Sequence, residues 1–460
     1  MYKIDFNAPV HVYFMGIGGI SMSGLAQILL DKGFTVSGSD MKASPLTDKL
    51  SGLGAHIIIG QKAENITDDI DLVVYTAAIR EDNPEFQAVL AKNIPTLTRA
   101  ELLGEIMTNY NVAIGVSGTH GKTTTTSMLT EIMVAAGLDP TVSVGGILPS
   151  IGGNLRIGAS GNFITEACEY TNSFLSFFPS IEIILNVEED HLDFFKDIND
   201  IRNSFARFAA LLPDNGLLVI NGDIDNYEEI SSKAACKVIT VGRTDASEYT
   251  AHNITYNSVG CCSYTLVHNG EEVAVVTLGV PGLHNVYNSL AAIAVSDHLN
   301  IPSGIVSDAL SAFNGTERRF QKKGELNGFT IIDDYAHHPA EIAATISSAK
   351  NYPHNRLYVI FQPHTYTRTQ AFLKEFASAL SPADQVILAD IYAAREKNTL
   401  GISSLDIKKE IDLLGTPCVY EPDFKKIEQY ILDNCKEGDL VITMGAGNIV
   451  EVGENLLKSY

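Results

Sequence analysis

The run Gly115-Val116-Ser117-Gly118-Thr119-His120-Gly121-Lys122-Thr123-Thr124-Thr125-Thr126 constrains this chain more than any other feature. An apolar stretch over 112–116 precedes it and reads as a strand; an amphipathic stretch over 127–136 follows and reads as a helix. Glycines between a strand and a helix let successive N–H groups point at one spot, and the helix adds its positive end. That is the setting a phosphate-binding loop requires. Gly118, Thr119, His120, Gly121 and Thr124 build the turn, Lys122 is spaced to reach terminal phosphates, and the Thr123 hydroxyl is spaced to ligate Mg²⁺. The spacing departs from the common pattern at Ser117, where a glycine is usual. The run reads as an ATP site rather than a glycine turn without a ligand.

At 460 residues the chain exceeds what one core supports, so two to four domains are expected. No apolar run reaches the length of a membrane span, and residues 1–16 lack the basic and apolar pattern of a secretion signal. A net charge of −23 argues against a nucleic-acid partner, because neutralising phosphates needs a basic face. Any anionic ligand must be held locally, by loops, helix ends and a few arginines. The six cysteines show no CxxC spacing and read as reduced thiols, which points to the cytoplasm.

The chain divides into three α/β segments. Residues 1–108 alternate strand and helix signals, with strands over 10–14, 35–40 and 71–75 and a helix over 20–32, which implies a parallel sheet wrapped by helices. Residues 109–315 carry strands over 112–116, 163–166, 181–187 and 217–221, then an antiparallel hairpin region over 249–278 turning at Asn269-Gly270, and a helix over 286–299. Residues 316–460 carry dense apolar strands over 330–332, 357–361, 385–388 and 440–444, suited to a sheet buried on both faces.

Several clusters sit where such sheets place ligands. Gly16-Ile17-Gly18-Gly19-Ile20-Ser21 follows the first strand, and Asp40 ends the second. This suits a nucleotide diphosphate held on a helix N-terminus, with Asp40 free to accept from a ribose or base; a purely structural turn is the alternative. Glu166 follows a strand beside the phosphate loop, and Asn186-Val187-Glu188-Glu189-Asp190-His191 follows the next, so Thr123, Glu166 and His191 could furnish divalent-metal sites. Asn285 opens a helix, where it could cap the helix or meet a purine edge. Arg318-Arg319 stands at the second segment boundary, placed to neutralise a γ-phosphate on closure. Asp334, His337, His338, His364 and Arg368 follow successive strands and suit a small carboxylate-bearing molecule; the adjacent His337 and His338 diverge too far to share a metal.

These pieces, in this order and over nearly the whole length, resemble the Mur ligases, ATP-dependent amide-forming enzymes of peptidoglycan precursor synthesis. The loop over 16–24 and the run Asp334-Tyr335-Ala336-His337-His338-Pro339 look like those of the branch that joins L-alanine to UDP-N-acetylmuramate. The resemblance implies a Rossmann-like UDP-binding domain over 1–108, a central ATPase-type domain over 109–315 with a mostly parallel sheet plus antiparallel strands, and a Rossmann-like amino-acid domain over 316–460. It implies ATP and Mg²⁺ as cofactors and an acyl-phosphate mechanism. Glu166 and His191 resemble metal ligands, Asn285 the adenine contact, Arg319 a phosphate contact, and Asp334 a ribose contact. His337 and Arg368 resemble residues of the alanine site, Arg368 pairing with its carboxylate. Many relatives read Glu-Ala-Asp-Glu-Ser where this chain has Glu166-Ala167-Cys168-Glu169-Tyr170, and many have arginine at Thr365. The helix over 199–212 holds no lysine, so no carbamylated lysine is expected. A monomer or weak homodimer is expected. Two alternatives stay open: a ligase attaching a recycled tripeptide to the same nucleotide sugar, and an NAD-dependent oxidoreductase using the loop over 16–21.

Overall fold

The computed structural model describes residues 2–76 and 78–459 and contains three sheets. The first has five strands, in the spatial order His56–Ile59, Thr35–Asp40, His11–Met15, Leu72–Tyr75 and Thr96–Thr98, all parallel. The expected strands lie here within a residue, and the helix expected over 20–32 spans Ile20–Asp31.

The central sheet has ten strands. Six form its parallel middle, in the order Lys237–Val241, Leu217–Asn221, Ile181–Ile184, Val112–Ser117, Asn162–Glu166 and Thr141–Leu148. The hairpin strands Tyr249–Tyr256, Cys261–His268 and Glu271–Pro281 extend one edge, and Gly153–Arg156 pairs antiparallel at the other. Two expected boundaries move for one reason. The strand expected over 181–187 stops at Ile184, because Asn186 leaves the ladder to hold the phosphate loop: its carbonyl accepts from Thr119 N–H and its Oδ1 from His120 N–H at 2.7 Å. The following helix begins at Lys122 rather than 127, since the loop feeds straight into its first turn.

The third sheet runs Gln321–Leu326, Phe329–Asp334, Leu440–Met444, Leu357–Phe361, Gln385–Leu388 and Cys418–Tyr420, parallel except for the first. Val359 and Phe361 pack into one apolar cluster while Tyr358 and Ile360 pack into another, so both faces are covered as the strand composition requires. The first and last of these strands were not expected from sequence.

The apolar cores do not follow the sheets one to one. A single cluster joins Val12, Phe14, Leu25 and Leu103 to Phe163, Phe205, Phe208 and Ile220, so the first and central sheets share buried surface. At this junction Gly104 packs against the backbone of Ser176: a Cβ there would lie 1.9 Å from its carbonyl oxygen. The clusters of the third sheet contain only residues from 320 onward.

Candidate functional site

The phosphate loop turns on two glycines in conformations L-residues avoid, Gly118 at φ 135° and Gly121 at φ 84°. A Cβ on Gly121 would fall 2.6 Å from Asn288 Oδ1. Ser117 is structural: its buried hydroxyl donates to Ile183 O at 2.7 Å and closes the strand. Lys122 Nζ donates to Gly118 O, to Thr119 O at 3.1 Å and to Glu169 Oε2 at 3.1 Å. Burial opposes its charge, but Glu169, with Cys168 and Glu166 behind it, raises its pKa above the ordinary lysine value. Burial pushes the Cys168 thiol up to about 11, so it stays neutral and Glu169 alone pairs with Lys122.

Three cavities lie in a row and share walls. The first, about 220 Å³, is lined by His120, Thr123, His284, Asn285, Arg319 and Asp334. The middle one, about 440 Å³, is lined by Ile20, Lys122, Thr123, Glu166, His191 and His337. The last, about 720 Å³, is lined by Asp190, His191, His364, Thr365, Arg368 and Glu396. The three candidate metal ligands thus face one space. Burial lowers the His191 pKa, leaving its imidazole unprotonated, and Glu166 accepts from Gly145 N–H at 2.5 Å. A hydroxyl, a carboxylate and a neutral imidazole are a fitting donor set for a divalent cation.

Four expectations change in detail. Arg318 lines the middle cavity beside Arg319, but its guanidinium is committed elsewhere: it donates to Asp333 at 2.9 Å and to the carbonyls of Gly445 and Gly447, pinning the last glycine turn. Arg319 alone stays available, 3.7 Å from Glu341. Asn285 is not the helix cap; Gly282 holds that position, while Asn285 Nδ2 donates back to Pro281 O at 2.7 Å. Asp334, its pKa raised by burial to about 6, accepts from the N–H groups of Phe320 and Ala336. Asp40 is not free either: Oδ2 accepts from Gly18 N–H at 2.9 Å, tying the second strand to the first glycine loop. Gly16 takes φ 83°, and Gly19 caps the helix Ile20–Asp31 with neither a side-chain hydrogen bond nor an acidic residue in the first turn.

Arg368 meets Asp190 side by side, Nε at 3.1 Å and Nη2 at 2.9 Å from Oδ1, across the contact between the central and third sheets. Despite burial, Arg368 holds the Asp190 carboxyl well below the usual range. His338 Nδ1 accepts from Ala340 N–H, so its Nε2–H donates to Glu189 O at 3.0 Å. With both nitrogens engaged it is no metal ligand, although His120 and Glu188 lie close by. His120 stands between Glu188 (3.4 Å) and Glu341 (3.3 Å). Burial disfavours its charge, but the two carboxylates push its pKa up to about 9. His337 is the opposite case, driven down to about 4 by burial.

Sequence reasoning missed Glu341, which sits among His120, His337 and Arg319 and is held well below the carboxylate range by them despite burial. A signal existed: His338 and the glutamate three residues past it form a capping box, with Pro339 opening the helix between them. Backbone strain marks the same cleft. Apart from Asn and Asp, the non-glycine residues with positive φ among those described are Thr171, His191, Arg318, Phe320, Thr365 and Ala394. All line or adjoin these cavities, where such conformations concentrate at a cost of about 1–3 kcal/mol each.

Three family models match in chain order: the Mur ligase family catalytic domain over residues 11–111, the Mur ligase middle domain over 116–296, and the Mur ligase glutamate ligase domain over 318–447. A UDP-N-acetylmuramate–L-alanine ligase of Lachnospira eligens is 62% identical over 459 residues, covering 100% of both chains. The chain belongs to the Mur ligase family. Among solved structures, UDP-N-acetylmuramate-alanine ligase from Thermotoga maritima is 30% identical, with a TM-score of 0.80 over 98% of this chain and 99% of that one. A murein peptide ligase from Psychrobacter arcticus is 25% identical, with a TM-score of 0.69 over 98% of each. As a Mur ligase the chain is an ATP-dependent ligase, which removes the oxidoreductase alternative.

Proposed function

We propose that this Mur ligase couples L-alanine to the lactyl carboxylate of UDP-N-acetylmuramate, cleaving ATP to ADP and phosphate, in cytoplasmic peptidoglycan precursor synthesis. The row of three wall-sharing cavities carries the reading: a nucleoside space, a phosphate-loop space and a carboxylate-and-imidazole space lie end to end. Residues 1–108 take the nucleotide sugar on the Gly16, Gly18, Gly19, Ile20 and Ser21 loop. Residues 109–315 take ATP on the loop from Gly118 to Thr124, with Asn285, Arg319 and Asp334 around the nucleoside. Residues 316–460 take the amino acid against His337 and Arg368.

A carboxylate acylates poorly until one of its oxygens becomes a good leaving group. The lactyl carboxylate oxygen attacks the γ-phosphorus, the bond to the β-phosphate oxygen breaks, and ADP departs from an acyl phosphate. Lys122 neutralises the transferring group, which requires it to let go of Glu169. The amine of L-alanine then attacks the acyl carbon, and collapse of the tetrahedral adduct expels phosphate. His337, unprotonated at neutral pH, is placed to accept a hydrogen bond from the amine, and the proton the amine loses passes to solvent. Thr123, Glu166 and His191 would hold Mg²⁺, which when bound screens the anionic reactants from one another.

The chain's 62% identity to a ligase named for L-alanine favours the amino acid over the tripeptide as acceptor. Mass spectrometry of products from ATP, UDP-N-acetylmuramate, mixed amino acids and tripeptide is expected to find the L-alanine adduct; product from the tripeptide alone would refute the assignment. Lys122→Ala is expected to eliminate nucleotide-sugar-dependent ADP formation, and activity within a fewfold of the parent would refute the role of the loop.

A further inference from the structure

Glu341 makes more contacts than its place in the helix Pro339–Lys350 requires. It is the third residue of that helix, and closing the capping box takes one carboxyl oxygen. Oε2 supplies it, accepting from the N–H groups of His337 at 3.0 Å and His338 at 3.3 Å and standing 3.2 Å from His337 Nδ1. Oε1 takes no part in the cap. It faces His120 Nδ1 of the phosphate loop at 3.3 Å and Arg319 Nη1 at 3.7 Å. The partial charge of a helix N-terminus favours an acid here but does not aim its second oxygen, and glutamine would close the same cap.

The group that the second oxygen steadies is Arg319. Arg318 and Arg319 both lie on the ring of Tyr335, their guanidinium carbons 5.0 and 5.3 Å from its centre. Arg318 is locked there by Asp333, Gly445 and Gly447. Among the described residues the guanidinium of Arg319 has no hydrogen bond, and its ion pair is the long one with Glu341. Its nitrogens are not sealed away, and Arg319 and Glu341 line the same two cavities. A ring face and one carboxylate oxygen thus set its direction while its donors stay open. His120 ties that oxygen to the phosphate loop, so the direction is set relative to the loop itself. A guanidinium held just beyond hydrogen-bonding distance is already aimed and gives up little when an anion arrives.

We propose that Glu341 is a positioning residue for phosphoryl transfer, its second oxygen aiming Arg319 at the transferred group. The inference rests on reading Arg319 as a phosphate contact. The test is steady-state ADP formation by the full chain for the parent, Glu341→Gln, Arg319→Lys and the double variant, with thermal melts of each. Glutamine keeps the cap and removes the charge. Glu341→Gln is expected to lower kcat by about 10–100-fold, the loss of one charge-assisted contact, with KM for UDP-N-acetylmuramate near parental. Since Glu341 acts through Arg319, the double variant is expected to fall no more than about twofold below Arg319→Lys alone. A parental kcat in Glu341→Gln, beside a loss in Arg319→Lys, would overturn the proposal. Losses that multiply in the double variant, or a fall in Tm with KM raised for all three substrates, would overturn it in favour of a structural role. If Arg319→Lys alone leaves kcat parental, the reading of Arg319 fails and the proposal falls with it.

Discussion

Arg368 and Lys122 are each held by a carboxylate of this chain where the proposed reaction needs them to hold a substrate. Asp190 occupies the fork of Arg368, and Glu169 occupies Lys122. An incoming amino-acid carboxylate must therefore exchange with Asp190, and only a planar fork can hand over one oxygen pair for another without losing both contacts. Arg368→Lys is expected to raise KM for L-alanine by about 10–100-fold while KM for ATP holds, measured by phosphate release. Much of this level was legible in the sequence. Lys122, Thr123, Glu166 and His191 are fixed by local spacing after strands, and they do share one cavity. Arg318 and Arg319 were not separable, because neighbouring residues of one type diverge only when Arg318 takes a positive φ of 61° and turns to the glycine turn near 445. Glu341 escaped notice since two of its partners, His120 and Arg319, lie far from it in the chain.

Among elements, the buried strands announced themselves. Leu217–Asn221, Leu357–Phe361 and Leu440–Met444 read LLVIN, LYVIF and LVITM, apolar but for Asn221 and Thr443, and fall where composition puts them. Cys418–Tyr420 is three half-buried residues and Gln321–Leu326 reads QKKGEL, so neither carries a period from which an edge strand can be read. Glu182 is the anomaly within the strand Ile181–Ile184: it is fully buried, and neither carboxyl oxygen has a partner. Burial raises its pKa well above the ordinary value. The folded chain therefore keeps a proton that the unfolded chain releases, and stability is lost progressively as pH rises above the usual carboxylate range. Glu182→Leu is expected to stabilise by about 1–3 kcal/mol in denaturant melts, with a gain that grows from pH 5 to pH 8; a pH-independent gain would show that the acid is charged or partnered. At the helix Arg99–Met107, Gly104→Ala drives a methyl onto the Ser176 carbonyl and is expected to cost about 3 kcal/mol or more by the same measurement.

At the scale of the whole molecule the two junctions differ in kind. The first and central sheets share one apolar cluster, whereas the central and third sheets meet through Arg368–Asp190, His338–Glu189 and His120–Glu341. His120 faces Glu188 from the central sheet and Glu341 and His338 from the other side, where Arg319 also meets Glu341. Its pKa rises from 6.5 to about 9, so its contribution is complete below pH 6.5 and fades as pH climbs to about 9. Thermal melts are expected to show this alkaline loss in the parent and a flatter profile in Glu341→Gln; identical profiles would show that His120 does not bridge the junction. Pairs as buried as Arg368–Asp190, whose side chains are 10% and 9% exposed, are screened little by salt. One seam is thus apolar and the other polar and charged, so acidity rather than dissolved salt governs how firmly the last third of the chain is fastened to the rest.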